Sequence, residues 1–199
     1  MQISAKIFKL EAEFIAGVAK VDQFPKLFLP QFAFMGKSNV GKSSLINKVC
    51  NRKSLARVSH TPGRTQQINF FSIANKLLLA DLPGYGFAKV SGNQRINWQN
   101  LLIHYLENSD RLVLVNLLID SRRGIMQNDI QLMHLLVENN KTFQIIFTKA
   151  DKVKSKEQFI KEMKAHLLLL GFECNIILTS SRSGEGAQEL QISMLNCCK

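Results

Sequence analysis

The sequence predicts an α/β fold in three layers, with helices flanking a six-stranded, mostly parallel sheet that carries one antiparallel edge hairpin. Three observations predict it. Short apolar runs alternate with longer amphipathic segments. Most of those runs are separated by helix-length stretches, which implies parallel pairing through right-handed crossovers. One pair of runs is joined only by "IANK", Ile73 to Lys76, a tight turn that makes this pair antiparallel.

In chain order, the strands are expected at 32–35, 68–74, 76–80, 112–119, 143–147 and 175–178. Helices are expected to begin near Lys42, Gln94, Met126, Ser155 and Glu185. The fourth is marked best, because Ser155 and Gln158 have the spacing of a capping box ahead of "FIKEMKAHLLLL". The stretches 51–67 and 84–93 are polar or carry Gly and Pro, so they read as loops beside the motifs they follow.

A chain of 199 residues suits one domain at 31–199, with residues 1–30 as an N-terminal extension packed on it. A content of 46% hydrophobic and 21% charged residues is enough to bury a core. No apolar run approaches the ~20 residues of a membrane span. The N-terminus carries Glu11 and Glu13 and lacks a signal-peptide core, so a mature cytoplasmic protein is expected. Cys50, Cys174, Cys197 and Cys198 have neither CxxC spacing nor a nearby histidine, and reduced thiols are expected. The net charge of +11, from 26 basic and 15 acidic residues, would attract a polyanion such as RNA.

Residues Gly36, Lys37, Ser38, Asn39, Val40, Gly41, Lys42 and Ser43 spell G-x-x-x-x-G-K-S between a strand and the helix-compatible "SSLINKV". Small residues let backbone N–H groups curl around phosphate oxygens where a Cβ would obstruct. Lys42 supplies a point charge to the β- and γ-phosphates, the Ser43 hydroxyl can ligate Mg²⁺, and the helix N-terminus adds its dipole. In "KLLLADLPG", Asp81 ends an apolar strand where it can hold Mg²⁺ through water. Leu82 and Pro83 lead to Gly84, whose N–H can bond the γ-phosphate. In "FTKAD", Thr148, Lys149, Ala150 and Asp151 follow another strand. A carboxylate at Asp151 can accept from the N1–H and exocyclic amine of guanine, whereas adenine offers it an acceptor. The stem of Lys149 can lie along the base.

Together, "GKSNVGKSSLIN", "TPGRTQQINFF", "DLPGYGFAKV" and "FTKAD" resemble the EngB (YihA) family of bacterial P-loop GTPases, from about Phe14 to the last helix. That resemblance implies a Ras-like G domain binding GTP or GDP with Mg²⁺. It implies that Gly63, Arg64, Thr65, Gln66 and Gln67 form the first switch motif. In it Thr65, rather than the nearby Thr61, completes the Mg²⁺ shell with Ser43 and Asp81. Lys42, Thr65 and Gly84 are then the expected catalytic groups. Thr179, Ser180 and Ser181 stand where the family closes its guanine pocket, with Ser181 replacing the more familiar alanine. The resemblance also implies a role in maturation of the large ribosomal subunit, and in normal cell division and septation, for a monomer that meets ribosomal RNA or a pre-50S particle.

Tyr85 stands where Ras-type enzymes place a water-orienting glutamine. A phenol lacks the donor and acceptor pair of an amide, so slow intrinsic hydrolysis is expected. Arg57 and Arg64 are candidates for an arginine finger in cis, against a solvated or RNA-facing role. Asn39 either binds K⁺ in the place of such a finger or braces its turn. His60 could contact RNA or solvent; His104, His134 and His166 fall on helices without metal spacing. Trp98 is expected in core packing, and Arg122 and Arg123 toward RNA or solvent. Two other readings compete with a GTP-switched assembly factor. One is a kinase or ATPase sharing the phosphate loop, which Asp151 disfavours. The other is a binding module of the septation machinery that uses the nucleotide for stability.

Overall fold

The computed structural model describes residues 4–57, 67–85 and 92–198. Its sheet has seven strands rather than six, in the order β1-β3-β4-β2-β5-β6-β7. These are β1 (Ala12–Val18), β2 (Gln31–Gly36), β3 (Ile68–Ile73), β4 (Leu77–Asp81), β5 (Leu112–Asp120), β6 (Phe143–Thr148) and β7 (Ile176–Leu178). The helices are α1 (Lys42–Val49), α2 (Gly92–Asn108), α3 (Gln127–Glu138), α4 (Lys156–Leu169) and α5 (Ala187–Asn196).

The strand absent from the sequence expectation is β1. It lies antiparallel to β3, so part of the N-terminal extension is an edge of the sheet. The β3–β4 hairpin is consequently one strand in from the edge. Its turn has Ala74 and Asn75 both at positive φ, 50° and 51°, the pattern of a type I′ turn whose twist matches the strands it joins. All other neighbouring pairs are parallel.

Both faces of β2 are buried, as its continuous apolar run requires in the centre of a parallel sheet. Ala33 and Met35 face a core shared with Tyr105 of α2, Met133 of α3 and Leu167 of α4. Phe32 and Phe34 face the other core, with Leu45 of α1, Leu190 and Met194 of α5, and Ile7 and Phe8 of an N-terminal 3-10 turn. Each Leu, Ile, Met or Phe among them contributes roughly 1.5–3 kcal/mol on leaving water. Amides cross the sheet interior as well: Gln144 donates to Asn116 at 2.7 Å, and Asn116 donates to the Ala33 carbonyl at 3.1 Å.

Ser155 is the N-cap of α4, but its side chain makes no capping bond, and Gln158 donates to Glu162 along the helix instead. The expected capping box is therefore not formed. Cys50 is fully buried, which pushes its thiol up to about 12 despite nearby Arg52, while burial raises Cys174 to about 11. Neither is activated as a nucleophile.

Candidate functional site

Five loops, after β2, β4, β5, β6 and β7, build the site at the C-terminal ends of the parallel strands, the place where open α/β sheets bind ligands. The first follows β2. Val40 N–H bonds the Lys37 carbonyl at 3.1 Å, closing a turn in which Asn39 sits at φ 62° and Gly41 at φ 104°. The backbone at Gly41 is one that side-chain-bearing residues avoid, and it turns the chain directly into α1. Parallel pairing of β4 with β2 sets Asp81 opposite Phe34, just before this loop. Lys42 and Asp81 form an ion pair in which the side chains are 11% and 5% exposed. With Ser43 in the first turn of α1, the oxygen donors here are a hydroxyl and a carboxylate, hard ligands that fit Mg²⁺.

The segment after β4 is pressed onto the phosphate loop. Tyr85 N–H bonds the Gly36 carbonyl at 3.2 Å, and Ser38 N–H bonds the Tyr85 carbonyl at 3.1 Å. A Cβ on Gly84 would stand 3.1 Å from the Ser38 nitrogen, so glycine permits this approach. Leu82 is buried, and the Pro83 carbonyl accepts from the Trp98 indole at 3.3 Å. Trp98 thus packs partly against the core and also touches the loop.

Tyr85 does not point at the phosphate loop. It is 6% exposed, and its hydroxyl donates to the Asp129 carboxylate in the first turn of α3. Burial first, then the Asp129 charge, raises the phenol far above its ordinary range. The other Asp129 oxygen accepts the Met126 N–H at 2.8 Å, capping α3. The position that holds a water-orienting glutamine elsewhere is here a strut into the core.

At the base end, Asp151 is exposed and accepts a 2.7 Å bond from the Ser180 hydroxyl, which is the main reason its carboxyl lies below the ordinary range. Ala150 N–H bonds the Thr179 carbonyl at 3.0 Å, joining the loops after β6 and β7. Thr179 is buried, with its hydroxyl turned back toward the Phe147 carbonyl at 3.4 Å. Ser181 is half-buried beside it. Thr148 is buried too, and its hydroxyl donates to the Val40 carbonyl at 2.7 Å, tying the two ends of the site together.

Lys149, in the left-handed region at φ 60°, is the centre of an arrangement that sequence reasoning missed. Its ammonium group donates to Asp120 at 2.7 Å and to the Asn39 carbonyl at 3.3 Å. Asp120 also takes the Arg122 guanidinium, with bonds of 3.0 and 2.7 Å to its two oxygens. Burial opposes ionisation of Asp120, but the bonds from Arg122 and Lys149 outweigh it and hold the carboxyl well below its ordinary range. Arg122, expected toward RNA or solvent, is exposed and at the same time grips Asp120. The "DSR" spacing was the available signal; the partner at Lys149 comes only from the register of β5 and β6, which sets Asp120 opposite Thr148.

Of the first switch motif, Gln67 is described: its amide donates to Asn69 at 2.8 Å and lies over Gly17 of β1. Gly63, Arg64, Thr65 and Gln66 lie outside the described residues, as do Thr61 and His60. Arg57 and the side chain of Asn39 are exposed. Among the other histidines, His104 lies 5.1 Å from the Phe24 ring and His134 4.9 Å from that of Phe172.

Comparison with known proteins gives the family and the fold. Residues 31–149 match the family described as "50S ribosome-binding GTPase". The chain is 55% identical over 194 residues to the "Probable GTP-binding protein EngB" of Rickettsia bellii (strain OSU 85-389), covering 98% of this chain and 92% of the relative. Among solved structures, a "probable GTP-binding protein engB" superposes with TM-score 0.67 at 22% identity, over 83% of this chain and 98% of that one. The GTPase Era superposes with TM-score 0.68 at 21% identity, over 86% of this chain and 57% of that one. At such identities the superpositions show the fold, a P-loop GTPase G domain. The chain belongs to the ribosome-binding GTPases and, within them, to the GTP-binding proteins named EngB.

Proposed function

We propose that this protein is a GTP-operated switch in assembly of the large ribosomal subunit, needed for normal cell division and septation, with slow Mg²⁺-dependent hydrolysis. One observation carries the reading. The loop bearing Asp151 is joined to the phosphate loop twice, by Thr148 to Val40 and by Lys149 to Asn39, so base and phosphates would meet one preset frame. In that frame Lys37 to Ser43 and the N-terminus of α1 take the phosphates. Asp151 takes the guanine edge, and the Lys149 stem lies beside the ring. Ser43 and Asp81, with Thr65, would hold Mg²⁺, which when bound offsets phosphate charge and orients the β- and γ-oxygens. Lys42 then exchanges its carboxylate partner for phosphate. The Gly84 N–H would sense the γ-phosphate, so that its loss releases the loop.

Slow turnover is supported by the engagement of Tyr85 with Asp129, which leaves its phenol unable to orient water. The ribosomal partner is supported by the family match and the +11 charge. Era, which shares the fold, was crystallised with MgGDPNP and nucleotides 1506–1542 of 16S ribosomal RNA. No helix among the described residues is long and apolar enough to cross a membrane, and the reading places the protein in the cytoplasm as a monomer.

Depletion followed by ribosome sedimentation tests the role, with Lys42→Ala as the nucleotide-deficient control. Accumulated large-subunit precursors are expected; unchanged subunit peaks overturn it. Turnover above roughly one per second by the isolated protein would contradict the slow-hydrolysis part.

A further inference from the structure

The charge of the chain is not spread evenly. Residues 1–80 hold 12 cations against three acids, whereas residues 81–199 hold 14 against 12, so +9 of the +11 belongs to the first 80 residues. From residue 23 to residue 80 there is no carboxylate at all.

The fold gathers part of this excess onto one face. Asn47 of α1 donates to the Ala56 carbonyl at 2.8 Å and accepts the Ala56 N–H at 2.7 Å, folding the loop after α1 back over the helix. That places Lys48, Arg52, Lys53 and Arg57 together, all exposed. Arg52 then reaches the Leu10 carbonyl at 2.7 Å, which brings the N-terminal turn, with Lys6 and Lys9, alongside. None of these six forms an ion pair among the described residues, whereas Lys42, Arg122, Lys149, Lys152 and Lys156 near the nucleotide site are paired with Asp81, Asp120, Asp151 and Glu185. The neighbouring carboxylates are Glu11, just before β1, with Glu13 beside it, Glu189 on α5, which packs on α1, and Glu185, which follows Gly184 beneath the Lys48 side chain and pairs with Lys156.

We infer that this face binds the sugar–phosphate backbone of folded RNA. Its apolar residues, Ile7, Phe8 and Ala56, are turned inward; Leu10, 54% exposed, is the large apolar side chain it leaves outside. A protein interface of stable size needs an apolar centre that this surface lacks. Long point-charge side chains beside the exposed amide of Asn51 and hydroxyl of Ser54 suit phosphate oxygens along a backbone. The inference rests on the ribosomal reading for the source of the RNA, while the surface itself stands on charge and geometry.

The test is filter binding of the GDP-loaded full chain to an RNA duplex of about 20 base pairs through a salt series centred near ~0.1 M. The variant carries Lys9→Gln, Lys48→Gln and Lys53→Gln, whose side chains make no described hydrogen bond. The control removes equal charge from another surface through Lys154→Gln, Lys161→Gln and Lys164→Gln. The first triple variant is expected to bind about tenfold or more weakly, with the log–log salt slope reduced by about two to three; the control changes less than about twofold. GDP titration of both variants should match the wild type, which excludes misfolding. No duplex binding by the wild type, equal loss in both triples, or equal competition by poly-glutamate or by phosphatidylserine vesicles overturns the inference. Loss of duplex binding with normal subunit peaks on depletion would instead leave the surface standing and remove the assembly role.

Discussion

The two ends of the nucleotide site are held by different means. At the phosphate end the frame is backbone: Gly36, Ser38 and Tyr85 exchange main-chain bonds, and the charge pair there among the described residues, Lys42 with Asp81, is nearly buried. At the base end the frame is side chains near the surface, with Asp120 shared by Arg122 and Lys149, and Asp151 oriented by Ser180. A backbone frame is robust to most substitutions but leaves its few charges dependent on each other. A side-chain frame is adjustable, and each member should be separable from the rest.

The strongest test of that contrast is at Lys42. Lys42→Ala strands a buried carboxylate and removes the phosphate charge. GDP affinity should fall by 100-fold or more, and the nucleotide-free protein should lose about 3 kcal/mol in urea unfolding. A change at the base end should be as severe for binding yet silent for stability. Asp151→Asn should lower GDP affinity about 100-fold, as expected when a charged hydrogen-bond partner is lost, while urea unfolding stays close to wild type. If Asp151→Asn unfolds as easily as Lys42→Ala, the contrast is broken.

Tyr85→Phe sharpens it further. Removing the phenol deprives the buried Asp129 carboxylate of a donor, which should destabilise the protein by about 1–3 kcal/mol. Turnover of bound GTP should change less than about threefold, because the hydroxyl faces α3 rather than the phosphates. A collapse in turnover at unchanged stability would return this residue to the reaction. Asp120→Asn should weaken GDP and GTP binding equally, by about five- to tenfold, through a loosened Lys149. It should also change the acid limb. The folded-state pKa of Asp120 is depressed from 3.8, so its contribution is complete above that value and is lost as acid titrates the folded group below it. The variant should therefore show a shallower fall in stability below pH ~4 than the wild type. The smallest expected effect is at Asn39. Hydrolysis rates in K⁺ and in Na⁺ at equal ionic strength decide whether its exposed side chain serves a cation or only the turn.

What could be read from the sequence follows the same division. Six strands announced themselves because each is buried on one or both faces and so carries a dense apolar run. β1 did not: Glu13, Phe14 and Ile15 are exposed on the sheet edge, and the run is broken by Gly17. The phosphate loop, Asp81 and Asp151 were legible because contiguous residues and their chemistry define them. The Tyr85–Asp129 and Asp120–Lys149 bonds join residues 44 and 29 positions apart, and only helix packing and strand register bring them together. The capping box failed in the opposite way: the residue types were present at the right spacing, but Gln158 found a partner in Glu162.

The packing of Ile7 and Phe8 against Leu190 and Met194 has a consequence for how the protein is made. The turn holding Ile7 and Phe8 precedes α5 by nearly the whole sheet in chain order, so it finds its permanent cover only when α5 has followed it. Until then two large apolar side chains on a nascent chain lack their native neighbours, and the edge strand beside them must wait for β3. Completion of this core is a closing event that waits for α5, and cutting α5 short should expose Ile7 and Phe8, far from the cut in sequence.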